Sequence, residues 1–214
     1  MLCSYPTTYK YMNEMGIKAV LQKKKLKYTK GLIHKTFGNL LNQDFKANKP
    51  NEKWCTDFTY LELSNGKKRY NCSIIDLYDR SVVASRNSQY IDSNLAITTL
   101  KLALQNHKPS NKIILHSDQG SQFASVSFTE YCIRNSVVQS MSKAGCPYDN
   151  APMERYYNTL KNEFTNHYSF ETDYLLNQAI NDFAYVWYNH QRPHTYNNKM
   201  TPSEARSAYI SQTI

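Results

Sequence analysis

At 214 residues, the chain has room for one domain with an appendage and for a buried core. It carries 26 Lys and Arg against 17 Asp and Glu, for a net charge of +9, and the surplus is uneven: residues 1–50 hold ten Lys against Glu14 and Asp44 alone, whereas residues 51–214 hold 16 basic and 15 acidic residues. No apolar run approaches the roughly 18 residues of a membrane span, no signal-peptide h-region opens the chain, and Cys3, Cys55, Cys72, Cys132 and Cys146 lack the spacing of a zinc site or disulfide framework, so the chain reads as cytoplasmic.

In chain order, residues 9–17 read as a helix stopped by Gly16. The basic block follows, densest at Lys23, Lys24, Lys25 and Lys27. Such a block attracts a polyanion, of which the phosphate backbone of nucleic acid is the usual one; the alternative is a solvated linker. Lys49–Glu52 reads as a linker into the main domain. Residues 54–63 form a β-branched and aromatic strand, Ser64-Asn65-Gly66-Lys67 a hairpin turn, and residues 69–77 and 81–85 two further strands. Asp92-Ser93 can cap a helix over 94–107, and residues 112–116 form a short buried strand. Ser127-Phe128-Thr129-Glu130 has capping-box form, residues 137–140 make a fifth strand, and helices follow over 151–164 and 171–189. The stripe Leu175, Leu176, Ala179, Ile180, Phe183, Val186 and Trp187 on the last helix reads as core packing. This order describes an α/β layer with a five-stranded mixed sheet. His190 and His194 stand four apart, but Pro193 between them spoils a helical ligand face.

Three isolated carboxylates stand out. Asp57 lies in the first strand, Asp118 where the strand ending Ile113-Ile114-Leu115 stops, and Glu154 in the first turn of a helix, where the helix dipole favours its ionised form. Acids at the edges of apolar strands hold hard divalent cations such as Mg²⁺, and two such ions about 3.5–4 Å apart serve in-line phosphoryl transfer. Each acid also has an ordinary reading: an edge-strand, turn or helix-terminal charge. Asp76 and Asp79 are rivals; Asp79-Arg80 reads as a turn with a local ion pair, and both stay outside the metal set. Glu154, Asn158 and Lys161 fall on one helical face. His116 reads as packing beside the sheet.

The segments Pro50 to Tyr60, His116 to Phe123 and Tyr148 to Glu154, with Leu160-Lys161-Asn162-Glu163, Tyr188 to His194 and Thr201 to Ala205, closely resemble the bacterial insertion-sequence-three family of transposases. That resemblance covers residues 50–206 and implies an RNase H-like, retroviral-integrase-like core in which Asp57, Asp118 and Glu154 are the DDE metal ligands. It implies two Mg²⁺ ions, for which Mn²⁺ can substitute. The implied reaction is strand cleavage by water, then attack of the freed 3′-hydroxyl on target DNA. Lys161, with Asn158 beside it, is then a DNA contact near the scissile phosphate or a plain helix lysine. Expected partners are element-end and target DNA, further copies of the chain, and an upstream-frame helix-turn-helix protein; no membrane is implied, and the expected place is the bacterial nucleoid. The organisation expected is a basic arm over 1–49, a catalytic core over 50–206 and a tail over 207–214. Tyr11 to Ile17 match the last helix of a longer family region, so a truncated or second-frame product is expected. A nuclease without joining activity and a copy that only binds DNA are the competing readings.

Overall fold

The computed structural model describes residues 5–17, 36–109 and 111–213. Two compact units divide at Lys30 and Gly31, which differs from the expected arm boundary at residue 49. In the first unit, α1 spans Tyr5–Glu14. It stops where expected: Gly16 sits at φ +69°, Ile17 N–H donates to the Met12 carbonyl (2.8 Å) and Gly16 N–H to the Asn13 carbonyl (3.1 Å). This is a Schellman cap, whose left-handed residue carries no steric cost in glycine.

The second unit is built on five strands: β1 Lys53–Glu62, β2 Lys68–Asp76, β3 Val82–Ser88, β4 Ile113–Ser117 and β5 Val137–Met141. Their spatial order is β3-β2-β1-β4-β5. The first three form an antiparallel meander, while β4 and β5 run parallel to β1. The turn between β1 and β2 places Gly66 at φ +79°, as the Asn-Gly pair predicts. The helices are α2 Ser93–His107, α3 Val126–Arg134, α4 Ala151–Glu163, α5 Asp173–Asn181 and α6 Pro202–Thr213.

Because β1 is central, both its faces are covered, and alternate residues feed two cores. Trp54 packs with Cys72, Ile74, Leu100, Phe123 and Phe128 beneath α2 and α3. Cys55 packs with Ile75, Met153, Tyr156, Leu160 and Phe183 beneath α4 and α5. Burial pushes the Cys55, Cys72 and Cys132 thiols up to about 12, so they act as packing groups.

Three expectations need correction. The cap of α3 is Ser125, whose Oγ accepts from Phe128 N–H at 3.2 Å; Ser127 lies inside the first turn. Beyond α5 the chain continues as a π-helix over Asp182–Gln191, and the buried line runs Leu176, Ile180, Ala184, Tyr188. Neighbours in sequence cannot share one helix face, so Leu175 (45% exposed) and Val186 (48%) point outward. Finally, α6 runs unbroken through the expected tail boundary at 206. Thr201 and Glu204 form its capping box: Glu204 N–H donates to Thr201 Oγ1 (3.2 Å) and Thr201 N–H to Glu204 Oε2 (2.8 Å). Among the described residues no helix is long and apolar enough to cross a membrane.

Candidate active site

The β1–β4 register sets Cys55 opposite His116. Carried two residues further, beyond the last paired residues and the end of β4, that register puts Asp57 at the level of Asp118, on the face of β1 that Cys55 shares and α4 covers. Asp57 is half-buried, and Asp118 sits exposed just past the end of β4. Protein massed around the Asp118 carboxyl raises its pKa, an effect that the Gly120 N–H opposes.

The third carboxylate arrives from α4, which is fixed to β1 at two points. Asn150 Nδ2 donates to the Thr56 carbonyl at 3.4 Å, and the Tyr157 hydroxyl donates to the Asp57 carbonyl at 2.6 Å while accepting from Ser73 N–H at 2.9 Å. Residues 150, 154 and 157 share a helix face. Glu154 therefore lies on the side of α4 turned to the strand that carries Asp57. Asn158 and Lys161 continue the stripe, exposed and half-buried respectively.

The turn after Asp118 is built around the carboxylate. Asp118 Oδ1 accepts from Gly120 N–H at 2.9 Å, and a Cβ added at Gly120 would stand 2.9 Å from that same oxygen and 3.2 Å from Gln122 Oε1. A larger residue there would displace the Asp118 carboxylate from its place in the turn. Phe123, fully buried, anchors the turn by stacking on Phe58 at 4.8 Å between ring centres. His116 bridges β4 to β5, with Nδ1 2.8 Å from Ser140 Oγ and Nε2 3.2 Å from Ser142 Oγ, and burial lowers its pKa. It packs, as expected.

The rivals are accounted for. Asp76 and Asp79 are fully buried and both bind Arg206 of α6, at 2.6 and 2.5 Å. Asp79 thus pairs across the fold, in place of the local pair expected with Arg80. Asp76 is pushed up to about 6, first by burial and then by Asp79, against the pull of Arg206. The segment from Tyr188 to His194 is likewise architectural. Asn189 mimics a neighbouring strand on β3, accepting from Val82 N–H (2.8 Å) and donating to its carbonyl (3.0 Å). Arg192 grips Glu163 at the end of α4 through two hydrogen bonds, 2.9 and 2.6 Å. His194 is buried edge-on against Tyr188, and burial, then Arg192, lowers it to about 4.

The donors suit a hard cation in kind: three carboxylates, with the buried Asn150 Oδ1 lacking a protein donor beside β1. Among the described residues no three His, Cys, Asp or Glu side chains are posed closely enough to grip an ion. Asp57 Oδ1 is turned to Phe58 N–H (2.7 Å) and Asp118 Oδ1 to Gly120 N–H. Lys23, Lys24, Lys25 and Lys27 lie outside the described residues.

The sequence points to Gly120, Ser121 and Gln122 as the turn that presents Asp118, but the supporting roles of Tyr157 and Asn150 were missed. The i, i+3, i+4 spacing around Glu154 was the available signal.

The chain is similar to known proteins in both sequence and fold. Integrase core domain models match residues 47–147 and 135–202. The 31 kDa protein of insertion element IS600 from Shigella sonnei is 33% identical over 190 residues, 88% of this chain and 70% of that protein. Transposase InsF for insertion sequence IS3A from Escherichia coli K12 is 33% identical over 166 residues, 78% of this chain and 57% of that protein. The HTLV-2 integrase catalytic core domain, solved in complex with magnesium, superposes with a TM-score of 0.58 at 19% identity, over 74% of this chain and 98% of that one, and so shares the RNase H-like fold. The chain belongs to the insertion-sequence transposases of the IS3 family, with an integrase-type catalytic core.

Proposed function

We propose that Asp57, Asp118 and Glu154 hold the divalent cations of a DDE strand-transfer site. The observation that supports this reading is the parallel β1–β4 register, whose last pair, Cys55 and His116, lies two residues before Asp57 and Asp118, together with the hydrogen bonds that tie the helix bearing Glu154 to β1. Cation binding would draw the Asp57 and Asp118 oxygens away from the Phe58 and Gly120 N–H groups from which they now accept. The magnesium in the HTLV-2 core supports the choice of metal. When bound, two Mg²⁺ ions, or Mn²⁺ in their place, activate the attacking oxygen and stabilise the leaving one.

The chain's own residues set the geometry. Gly120 and Phe123 hold the Asp118 turn, Tyr157 and Asn150 hold α4 against β1, and Arg192 fixes the far end of α4. Lys161 and Asn158 flank Glu154 on one face and contact the DNA backbone beside the scissile phosphate. Lys23, Lys24, Lys25 and Lys27 bind phosphate non-specifically. Residues 1–30 act as a basic arm, and residues 31–214 as the catalytic unit. The substrates are element ends and target DNA. Since one site acts on each end, copies of the chain assemble on paired ends, and an upstream-frame helix-turn-helix protein is a further partner. The setting is the bacterial nucleoid.

A labelled element-end oligonucleotide incubated with unlabelled DNA and Mg²⁺ tests the reading. Joined products are expected; hydrolysed fragments alone would identify a nuclease, and intact substrate a DNA-binding protein.

A further inference from the structure

Asp149 is 3% exposed, yet it bears a carboxylate on the loop that leads into α4. Its oxygens collect three donors from two distant parts of the chain. Oδ2 accepts from Lys143 N–H and from Asn39 Nδ2, each at 2.9 Å, and Oδ1 accepts from Gln43 Nε2 at 2.9 Å. Those hydrogen bonds, Lys143 N–H foremost and then Gln43, hold its pKa below the usual carboxylate range.

Asn39 and Gln43 belong to a strap, residues 36–47, that crosses from one core to the other at the β5 edge. Phe37 packs with the α2/α3 core, while Leu41, Phe45 and Ala47 pack with the α4/α5 core. Leu40 N–H donates to Ser140 Oγ (2.9 Å) and Met141 N–H to the Gly38 carbonyl (3.3 Å), which seats the strap on β5. Asn39 Oδ1 also accepts from Leu41 N–H (3.1 Å) and Asn42 N–H (2.9 Å), so this side chain is fixed before it meets Asp149.

On the other side of Asp149, a 3₁₀ turn over Pro147–Asn150 runs directly into α4, and Asn150 touches β1 at Thr56. The entry to α4 is therefore pinned at consecutive residues, to the strap through Asp149 and to the sheet through Asn150. Glu154 stands a little over one helical turn beyond, so a shift of the entry moves it directly.

We infer that Asp149 is a positioning residue for Glu154 and that the strap, through Asn39 and Gln43, forms part of the architecture of the site. This rests on the reading of Glu154 as a metal ligand. A carboxylate accepts from all three donors at once. An amide in its place keeps one acceptor oxygen and presents N–H groups, so at least one donor loses its partner.

Two variants of the full chain test the inference, with amide exchange at residues 151–155 and Mn²⁺ titration as readouts. Asp149→Asn is expected to speed exchange there and to weaken Mn²⁺ binding about tenfold, the usual scale for residues that orient metal ligands. Gln43→Ala removes one donor from an exposed strap residue, keeps the fold and is expected to show both changes in smaller measure. Exchange unchanged in both variants would overturn the inference, as would faster exchange with Mn²⁺ affinity intact. An unaltered chain that takes up no Mn²⁺ would instead remove the reading of Glu154 as a ligand; the pinning of α4 by Asp149 would then be decided by exchange alone.

Discussion

Arg206→Met replaces the guanidinium that joins α6 to the β2–β3 turn with an apolar side chain of similar length. The guanidinium donates to Asp76 Oδ2 (2.6 Å), Asp79 Oδ2 (2.5 Å) and Ser81 Oγ (3.1 Å), and both carboxylates are fully buried. Their remaining donors are backbone: Asn51 N–H and Tyr78 N–H on Asp76, and Ser81 N–H on Asp79. Removing one side of a buried ion pair costs about 3–5 kcal/mol, against about 5–15 kcal/mol for a whole domain. For a chain of this size that corresponds to a loss of roughly 6–20 °C in melting temperature.

The loss also depends on pH, with a definite sign. Asp76 is raised to about 6 in the folded chain, above its unfolded value of about 3.9. Its contribution to stability is fully present below the unfolded value and is lost as pH rises through about 6. Without Arg206, which lowers it, Asp76 rises further and holds its proton to higher pH. The deficit of the variant is therefore largest near pH 8, and it shrinks by about 1.4 kcal/mol per pH unit wherever the variant's Asp76 is protonated and the parent's is not. Urea unfolding of both proteins between pH 5 and pH 8 measures this. A deficit that is constant with pH, or smaller than about 1 kcal/mol at pH 8, would refute the argument.

Other outcomes follow from the same geometry. Gly120→Ala forces a Cβ to within 2.9 Å of Asp118 Oδ1, so strand transfer should fall roughly 10–100-fold while far-ultraviolet circular dichroism stays that of the parent; full activity would show that the turn tolerates the methyl group. Replacing Lys23, Lys24, Lys25 and Lys27 together by Gln should flatten the salt dependence of DNA binding by about 3 to 4 in log–log slope, measured by fluorescence anisotropy, and an unchanged slope would remove the arm from the DNA interface.

Much of this fold was legible because its signals are local. The Asn-Gly turn, Gly16, the Asp92 cap and the strand pattern each act through neighbours in sequence, and each appears where expected. The acids Asp57, Asp118 and Glu154 could be singled out because charge is rare in apolar strands; their mutual placement needed the β1–β4 register, which no single segment contains. What stayed hidden is long-range. Asp79 shows nothing in sequence of Arg206, 127 positions away, and Asp149 shows nothing of Asn39, 110 positions away. The outward turn of Leu175 and Val186 was lost because a stripe counted at four-residue steps does not tell which of two adjacent leucines faces the core. The helix from Pro202 was the avoidable omission, since Thr201 and Glu204 already have capping-box spacing.

The central claim is that three carboxylates carry the chemistry. Asp57→Asn, Asp118→Asn and Glu154→Gln change charge at nearly constant shape, so each variant, once shown to be folded, isolates that role. With a labelled element end, target DNA and Mg²⁺, the parent should give joined product and each of the three should give essentially none. Near-normal joining by any one of them would contradict the account.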